Sequence, residues 1–353
     1  MLKIAIIGTT SWGTTLGFIL AEKGIPVGLW ARTEQEAAEL RKKGPDSGLS
    51  SEMAFPPQLF ISTRLEEVLD EVRAVILVVP SQSMRQNAQH LARYLDKSML
   101  VVSAAKGLEI GSGKRMSQVI AEEIPSCFQS HICVLSGPNL AREILRGLPA
   151  AVVASAEDGT VARKVQRILT TPNLCVFTNT DVIGVELGGA LKNIIALGAG
   201  IVDGLGYGDN AKAAFMTRGL TEITALGVAL GAHPLTFSGL TGLGDVITTC
   251  TSPLSRNHYV GMELTKGRSL PEIVSSMAGV AEGVTTTLVA LNLAQKLGLE
   301  MPITEKVYQV LYGNADPRQV AEKMMGGGTG HELTGRKWKL FSVLRRYKRP
   351  KTD

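Results

Sequence analysis

Cysteine is scarce in this chain of 353 residues, and its spacing excludes two classes of protein. The four cysteines form no C-x-x-C pair and stand at Cys127, Cys133, Cys175 and Cys250. A small disulfide-held domain has more cysteines in a shorter chain, and a zinc site has them clustered. The sequence therefore predicts neither a disulfide framework nor a metal site, and it suits a reducing compartment.

Long uninterrupted apolar runs are also absent. Residues 1–3 lead directly into a strand pattern, without the apolar segment and cleavage site of a signal peptide. The most apolar stretch, residues 182–202, is interrupted by Glu186, Lys192 and Asn193. A buried helix explains this stretch better than a membrane span does, and we expect a cytoplasmic protein.

Short apolar runs alternate with amphipathic stretches through the first half of the chain. The predicted strands are residues 3–8, 26–31, 74–80, 99–103, 131–135, 150–154 and 174–177. Aromatic residues make up only 5% of the chain and glycine occurs 38 times, which favours α/β architecture over a β-sandwich. The alternation is typical of βαβ units, so we predict an α/β fold with a Rossmann-like, doubly wound parallel sheet.

After residue 181 the strand pattern stops, and helical periods punctuated by Gly and Pro predict an all-helical second domain. We expect a dinucleotide-binding domain at residues 1–180 and a helical substrate domain at residues 181–325. Residues 326–353 are expected to form a flexible Gly-rich joint and a basic tail.

A glycine-containing turn follows the first predicted strand. It reads Gly8-Thr9-Thr10-Ser11-Trp12-Gly13. A G-x-G-x-x-G sequence here would turn tightly and present helix N–H groups to a pyrophosphate. Thr10 stands in place of the middle glycine, and its Cβ is expected to hold a pyrophosphate further out. The turn predicts a dinucleotide site, with a strand–helix turn that binds no ligand as the alternative.

Cofactor preference depends on the end of the second strand. An NAD-specific site usually has an acid there for the ribose 2′-hydroxyl, whereas a 2′-phosphate is accommodated by an arginine. The strand ends at Trp30-Ala31-Arg32-Thr33, without an acid. Arg32 therefore favours NADP, and a solvated surface arginine is the alternative.

Two lysines occupy positions that suit chemistry. Lys106 follows a strand, where open α/β sheets bind ligands, and Lys192 lies inside the apolar run. A buried, unpaired lysine costs several kcal/mol or has its pKa lowered by desolvation, as a general acid–base near neutral pH requires. The alternative for Lys192 is an amine that reaches solvent at a helix edge.

Polar groups are also concentrated in two loops. Residues 136–139 (Ser-Gly-Pro-Asn) follow a strand and could present backbone donors. Residues 239–257 combine a Gly-rich loop, an acid, several hydroxyls and an arginine. That composition suits a small polyhydroxy phosphate, because arginine binds the dianion and hydroxyls orient the rest. A hydrophilic interhelical loop is the alternative.

Together these segments resemble the bacterial-type NAD(P)-dependent glycerol-3-phosphate dehydrogenases over residues 1 to about 325. The most specific segments are residues 11–14, 106–108, 191–212, 242–245, 249–257 and 280–283. The resemblance implies reversible hydride transfer between NAD(P)H and dihydroxyacetone phosphate, giving sn-glycerol 3-phosphate for phospholipid synthesis. It also implies NADP or NAD as cofactor and a homodimer.

The resemblance further implies the site residues. The cofactor would be bound by Gly8, Ser11, Trp12, Gly13, Arg32, Lys106, Ala141, Arg256, Val280 and Glu282. The substrate would contact Lys106, Gly137, Asn139, Lys192, Asp245, Thr249, Ser255, Arg256 and Asn257. Lys192 would be the proton acceptor, Lys106 and Asp245 would hold the reacting groups, and Asn193 would be a polar support.

Three features depart from the family pattern: Thr10, Asn139 in place of the usual Ser or Thr, and the chain end after about residue 325. One alternative is another β-hydroxyacid or sugar-phosphate dehydrogenase, against which residues 249–257 argue. Another is a non-catalytic dinucleotide-sensing protein. A protein without catalysis has no chemical need for the full set Lys106, Lys192, Asp245 and Arg256.

Basic residues are concentrated at the chain end. Residues 336–353 hold eight Lys or Arg and one Asp, so the net charge of +5 leaves residues 1–335 at −2, and no nucleic-acid partner is predicted. An apolar side chain recurs every three residues in this tail, at Trp338, Phe341, Leu344 and Tyr347. This stripe predicts weak contact with an anionic membrane surface, and a solvated, disordered terminus is the alternative.

Overall fold

The first half of the chain forms one eight-stranded sheet in the computed structural model, which describes residues 2–45, 53–96, 98–277 and 279–325. The strands are β1 (Ile4–Ile7), β2 (Val27–Trp30), β3 (Leu59–Ser62), β4 (Ala74–Leu77), β5 (Leu100–Ser103), β6 (Ile132–Ser136), β7 (Ala150–Ser155) and β8 (Leu174–Asn179). Their order is β3-β2-β1-β4-β5-β6-β7-β8, and the first six are parallel. This order is that of a dinucleotide-binding sheet, so the predicted Rossmann-like fold class is confirmed.

Helices cover both faces of this sheet. They are α1 (Ser11–Glu22), α2 (Glu34–Lys43), α3 (Leu65–Leu69), α4 (Met84–Ala92), α5 (Met116–Glu123), α6 (Ala141–Leu145) and α7 (Gly159–Leu169). Within β1, Ile6 packs in one apolar cluster with Leu16 of α1, and Ile7 packs in another with Met84 of α4. Because both faces of the central strands β1, β4 and β5 are buried, these strands are continuous apolar runs in the sequence, whereas Phe60 of β3 and Phe177 of β8 are exposed at the sheet edges.

The sheet is mostly parallel, and one pair of strands departs from the predicted parallel arrangement. β7 is antiparallel to β6, while β8 is parallel to β7. A parallel crossover must travel the length of the strand. The connection after β6 contains only the five-residue α6, about 8 Å long at 1.5 Å per residue, and it returns the chain at the same edge.

The edge strand β3 is absent from the predicted strands. It has four residues, Leu59–Ser62, and lies between Pro57 and α3. So short a run carries little periodicity of its own, and its pairing with β2 makes it a strand.

The second half of the chain is helical. It contains α8 (Val182–Gly204), α9 (Gly208–Ala229), α10 (Pro234–Phe237), α11 (Asp245–Thr251), α12 (Arg256–Thr265), α13 (Leu270–Ser275), α14 (Glu282–Leu297), α15 (Pro302–Tyr312) and α16 (Pro317–Met325). By length and composition α8 could cross a membrane, but 89% of its most apolar window is buried inside the protein. α8 is therefore the core helix around which the other helices pack, as expected for residues 182–202.

β8 ends at Asn179 and α8 begins at Val182, so the predicted boundary near residue 180 falls between them. The predicted Gly-rich joint at residues 326–330 and the basic tail with its apolar stripe lie outside the described residues.

Candidate active site

The turn between β1 and α1 has the tight geometry that a dinucleotide site needs. Gly8 has a φ of +118°, and a Cβ there would lie 2.5 Å from the carbonyl oxygen of Val78. A Cβ at Gly13 would lie 2.2 Å from the carbonyl oxygen of Gly8. Both positions therefore require glycine, and the N-terminus of α1 lies directly behind the turn.

Thr10 has a structural role that the sequence analysis does not anticipate. Its hydroxyl accepts a hydrogen bond from Gly13 N at 3.2 Å and donates to the carbonyl oxygen of Val78 at 2.9 Å. The side chain thus caps α1 and ties the turn to the end of β4. The effect of its Cβ on pyrophosphate binding stays a prediction.

An open cavity of about 620 Å³ adjoins this turn. Thr9, Ser11 and Arg32 line it, together with residues of α2. The indole Nε1 of Trp12 is buried and has no hydrogen-bond partner among the described residues. A cleft at the ends of β1 and β2 fits the adenosine half of a dinucleotide.

Arg32 does not stand alone in this cavity. The structure pairs its guanidinium with Glu36 of α2, with Nη2 3.2 Å from Oε1. Glu36 stands four residues after Arg32, and the predicted site does not include it. The signal is the helix start T-x-x-E at residues 33–36, where Thr33 caps α2 through the N–H of Glu36 and the first helical turn brings the Glu36 side chain back over Arg32.

One buried carboxylate joins the two lysines singled out in the sequence. Asp245, the first residue of α11, is 1% exposed. Its Oδ1 accepts from Lys192 Nζ at 2.6 Å, and its Oδ2 accepts from Lys106 Nζ at 2.7 Å. Lys106 lies beyond β5 and Lys192 on α8, so the carboxylate bridges the sheet and the helical half.

Lys106 is held by three acceptors. Besides Asp245, its ammonium donates to the carbonyl oxygen of Gly137 at 2.8 Å and to Asn139 Oδ1 at 2.7 Å. Burial lowers the pKa of Lys106 to about 8; the nearby charge of Asp245 opposes this shift and that of Lys192 adds to it. A pKa lowered by burial is predicted for Lys192, whereas the structure gives one for Lys106.

Lys192 is buried at 6% exposure, so its amine does not reach solvent at a helix edge. Its ammonium donates to Asp245 Oδ1 and to the hydroxyl of Thr249. A lysine ammonium has three donors, and the described residues supply partners for two. One donor of Lys192 is therefore left without a partner among the described residues.

A close approach of α8 to the sheet brings these groups together. A Cβ at Gly189, one turn before Lys192, would lie 2.2 Å from Ser136 Oγ and 3.5 Å from Lys106 Cγ. The loop predicted to be Gly-rich forms a π-helical turn, Leu240–Gly244, packed on α8. Since this turn leads directly into Asp245, it is part of the site and not a hydrophilic interhelical loop.

The start of α12 carries the predicted phosphate ligands. Arg256 is exposed and has no hydrogen-bond or ion-pair partner among the described residues. The hydroxyl of Ser255 caps α12 by accepting from His258 N at 3.2 Å. Asn257 donates to Asn193 Oδ1 and accepts from Gly283 N, both at 2.9 Å, so its amide links α8, α12 and α14.

The remaining predicted cofactor residues lie at helix starts. Ala141 begins α6, and Val280 lies exposed just before α14. Glu282, the first residue of α14, accepts from Ser81 N at 2.8 Å and from Ser81 Oγ at 2.5 Å. Ser81 is absent from the predicted site residues, although a polar residue directly after an apolar strand is a signal for the ligand edge of such a sheet. The contacts of the described residues do not join Trp12, Arg32, Ala141 or Val280 to the lysine–aspartate centre.

No group of three or more His, Cys, Asp or Glu side chains within the described ranges could hold a metal ion. The chemistry that the centre itself offers is proton transfer by an ammonium group beside a carboxylate.

Comparisons with known proteins agree along the chain. Residues 3–162 and 181–322 match the families described as the NAD-dependent glycerol-3-phosphate dehydrogenase N-terminus and C-terminus. Glycerol-3-phosphate dehydrogenase [NAD(P)+] from Dehalococcoides mccartyi is 60% identical over 353 residues, covering 100% of this chain and 98% of the relative. The enzyme of that name from Enterococcus faecalis is 47% identical over 94% of this chain and 98% of its own.

Solved structures show the same architecture. The crystal structure of glycerol-3-phosphate dehydrogenase from Coxiella burnetii has a TM-score of 0.86 and 34% identity, covering 92% of this chain and 99% of its own. A ketopantoate reductase from Ralstonia eutropha has a TM-score of 0.57 at 16% identity, covering 92% of this chain and 100% of its own, and shares the fold alone.

Proposed function

The chain belongs to the NAD-dependent glycerol-3-phosphate dehydrogenase family, and on that premise we propose how its own residues carry the reaction. The reaction is reversible hydride transfer between NAD(P)H and dihydroxyacetone phosphate, which gives sn-glycerol 3-phosphate for phospholipid synthesis. The nicotinamide supplies the hydride in reduction and accepts it in oxidation. The observation that carries our assignment is the carboxylate of Asp245, shared between Lys106 and Lys192.

Lys192 is the proton acceptor in oxidation and the proton donor in reduction. When C2 of dihydroxyacetone phosphate is reduced, its oxygen gains a proton, and when glycerol 3-phosphate is oxidised, the C2 hydroxyl loses one. The ammonium of Lys192 has a donor without a described partner, whereas the three donors of Lys106 all have acceptors. Lys192 can therefore face the C2 oxygen without breaking an existing bond.

Lys106 and Asp245 set the charge around that proton transfer. The Lys106 ammonium lies beside the carbonyl site and stabilises negative charge that develops on the C2 oxygen. Asp245 accepts from both lysines and offsets the repulsion between their charges. Thr249 fixes the direction of Lys192 by accepting from it and donating to Asp245 Oδ1 at 3.2 Å.

The substrate phosphate binds at the start of α12. Arg256 has no hydrogen-bond or salt-bridge partner among the described residues, although the nearby charge of Glu282 acts on it. It begins α12, whose first turn adds the N–H groups of a helix N-terminus. Ser255 and Asn257 hold this turn in place and contribute polar contacts. Binding energy from the remote phosphate then helps to orient C2 against the nicotinamide.

The cofactor, NADP or NAD, binds across the carboxyl edge of the sheet. Gly8, Ser11, Trp12 and Gly13 form the pyrophosphate turn, and Arg32 lies at the ribose end. Ala141, Val280 and Glu282 supply the nicotinamide end. The tight turn, the cleft beside it and the unpartnered indole N–H of Trp12 support this assignment.

We also assign the units of the chain and its setting. Residues 1–180 act as the cofactor domain and residues 181–325 as the substrate domain of a cytoplasmic homodimer. Light scattering checks the dimer by its mass of twice the chain. For the tail, sedimentation with anionic vesicles compares the full chain with one ending at residue 335; salt-sensitive binding by the full chain alone supports membrane contact.

A direct assay tests the proposed function. The purified chain is mixed with NADPH or NADH and dihydroxyacetone phosphate, and the loss of reduced-nicotinamide absorbance is followed. Turnover with dihydroxyacetone phosphate, and far less with ketopantoate, supports the assignment. Cofactor binding without turnover would favour the non-catalytic sensor.

A further inference from the structure

The carboxylate of Glu36 is the most heavily bonded group in the cofactor cleft beside α1. Its Oε1 accepts from Thr9 Oγ1 at 2.5 Å and from Arg32 Nη2 at 3.2 Å. Its Oε2 accepts from Arg32 N at 2.9 Å and from Arg32 Nε at 3.4 Å. One carboxylate thus holds the glycine-containing turn, the backbone after β2 and the guanidinium of Arg32.

The place of this cluster decides which part of a dinucleotide it meets. Thr9, Arg32 and Glu36 line the same cavity of about 620 Å³, at the ends of β1 and β2. In a sheet of this strand order, groups at the end of β2 read the ribose 2′ position. A free 2′-hydroxyl and a 2′-phosphate differ there by a full negative charge or more.

The charges of Arg32 and Glu36 act in opposite directions at that position. Burial by itself raises the pKa of Glu36, but the bonds from Arg32 and Thr9 outweigh it and hold the pKa below its usual value. Glu36 is therefore a carboxylate at neutral pH, able to accept from a 2′-hydroxyl. A 2′-phosphate would have to draw Arg32 away from Glu36 and would then face a like charge.

We propose that Glu36 is a specificity-determining residue, which sets the preference between NADH and NADPH by holding Arg32 and repelling a 2′-phosphate. The proposal rests on the proposed function, because it takes the cleft to be the cofactor site. It revises the prediction made from Arg32, which by itself favours NADP as the cofactor. With Glu36 beside it, the positive charge is balanced and the site accepts both cofactors.

If Glu36 had only a structural role, its replacement would leave the ratio of the NADPH and NADH dissociation constants unchanged. The Arg32–Glu36 pair joins an exposed arginine before α2 to a half-buried carboxylate in its first turn, and an ion pair near the surface contributes only about 0.2–1 kcal/mol to stability. The cap of α2 is made by the hydroxyl of Thr33 with the backbone N–H of Glu36, so replacing the Glu36 side chain leaves that cap in place.

The experiment compares Glu36→Gln with Glu39→Gln by fluorescence titration of NADPH and NADH. Glu39 lies on the same helix, lines the same cavity and pairs with Lys43 at 3.2 Å, so its substitution removes the same charge without touching Arg32. Both affinities come from one preparation, so their ratio does not depend on the fraction of folded protein. Thermal melting checks that each variant folds.

Glu36→Gln is expected to tighten NADPH and weaken NADH, moving the Kd ratio by about tenfold, the factor that corresponds to about 1.4 kcal/mol. Glu39→Gln should move the ratio by less than about twofold, and Arg32→Ala should move it the opposite way. An unchanged ratio in Glu36→Gln, or an equal shift in Glu39→Gln, overturns the proposal while leaving the enzyme assignment intact. Failure of the wild-type chain to bind either cofactor overturns both.

Discussion

Lys192 lies 2.6 Å from Asp245 Oδ1 and keeps one ammonium donor without a partner in the described part of the chain. The ion pair fixes the Lys192 side chain, and the spare donor leaves its ammonium able to form one further hydrogen bond. A buried lysine with all its donors bound, such as Lys106, can act on a substrate only through its charge, and one with none bound would be mobile. This intermediate state suits an ammonium that donates a proton in reduction, and the neutral amine left behind is the proton acceptor in oxidation.

Lys192→Ala is therefore expected to lower kcat by at least about 100-fold, since general acid–base catalysis contributes about 10²–10⁴-fold. Cofactor binding should stay within about twofold of wild type, because Lys192 contacts Asp245 and Thr249 rather than the dinucleotide turn. Stopped-flow turnover and NADPH titration measure the two effects. The matched control is Lys266→Ala, a lysine paired with Glu263 at the surface. Activity above about one hundredth of wild type would exclude the proton-acceptor role.

Lys106 should set the alkaline limit of carbonyl reduction. Burial lowers its pKa to about 8, so the ammonium loses its proton as the pH rises through that value. We expect kcat/KM for dihydroxyacetone phosphate to be at its maximum below this pH and to fall above it. The effect on stability has the opposite sign. The unfolded chain keeps the Lys106 proton to a higher pH than the folded chain does, so the free energy of unfolding increases as the pH rises above 8.

A pH–rate profile checks this, with Lys106→Arg as the comparison. Arginine keeps its charge throughout the accessible range, so the alkaline fall should disappear even where the maximal rate is lower. If the variant shows the same fall as wild type, the titrating group is not Lys106.

Arg256→Ala should raise the KM for dihydroxyacetone phosphate by about 10²-fold, because a charge-assisted bond to a dianion contributes about 1.5–3 kcal/mol. With unphosphorylated dihydroxyacetone the loss should be far smaller. Arg256→Lys keeps the positive charge but loses the bidentate geometry. Its KM for dihydroxyacetone phosphate should therefore lie between those of wild type and Arg256→Ala. Steady-state kinetics with both substrates decide the question, and equal losses on both would rule out Arg256 as the phosphate ligand.

Thr10→Gly should act on stability and on binding in opposite directions. The lost cap and the lost bond to Val78 should lower the free energy of unfolding by about 1 kcal/mol. Removal of the Cβ nearest the pyrophosphate should tighten cofactor binding. Thr10→Ser keeps the hydroxyl, so it should match wild type in a denaturant titration. A glycine variant that is as stable as wild type would contradict the capping role.

The sequence predicts the main features of the fold because both faces of the central strands of the sheet are buried. Seven of the eight strands are continuous apolar runs that need no periodicity to be recognised. β3 is not predicted, because a four-residue edge strand is defined by its pairing with β2 and not by a pattern of its own. The antiparallel direction of β7 is not predicted, because it depends on the short connection through α6, and the apolar pattern of the sequence contains no signal for strand direction.

The site is predictable as residue types and not as contacts. Lys106, Lys192 and Asp245 stand out in the sequence, but the shared carboxylate arises only when α8 packs against the edge of the sheet. Glu36 is missed for a similar reason. Its distance of four residues from Arg32 becomes a contact through the helical turn that starts at Thr33.

The bridge between the two lysines also bears on how activity returns after unfolding. Lys106 belongs to the sheet, whereas Lys192 and Asp245 belong to the helical half, so neither half contains a complete centre. A refolding chain with both halves native but undocked would have normal helix and strand signals and no turnover. Recovery of catalysis should then lag behind circular dichroism, and the delay would measure the docking of the halves rather than the folding of either.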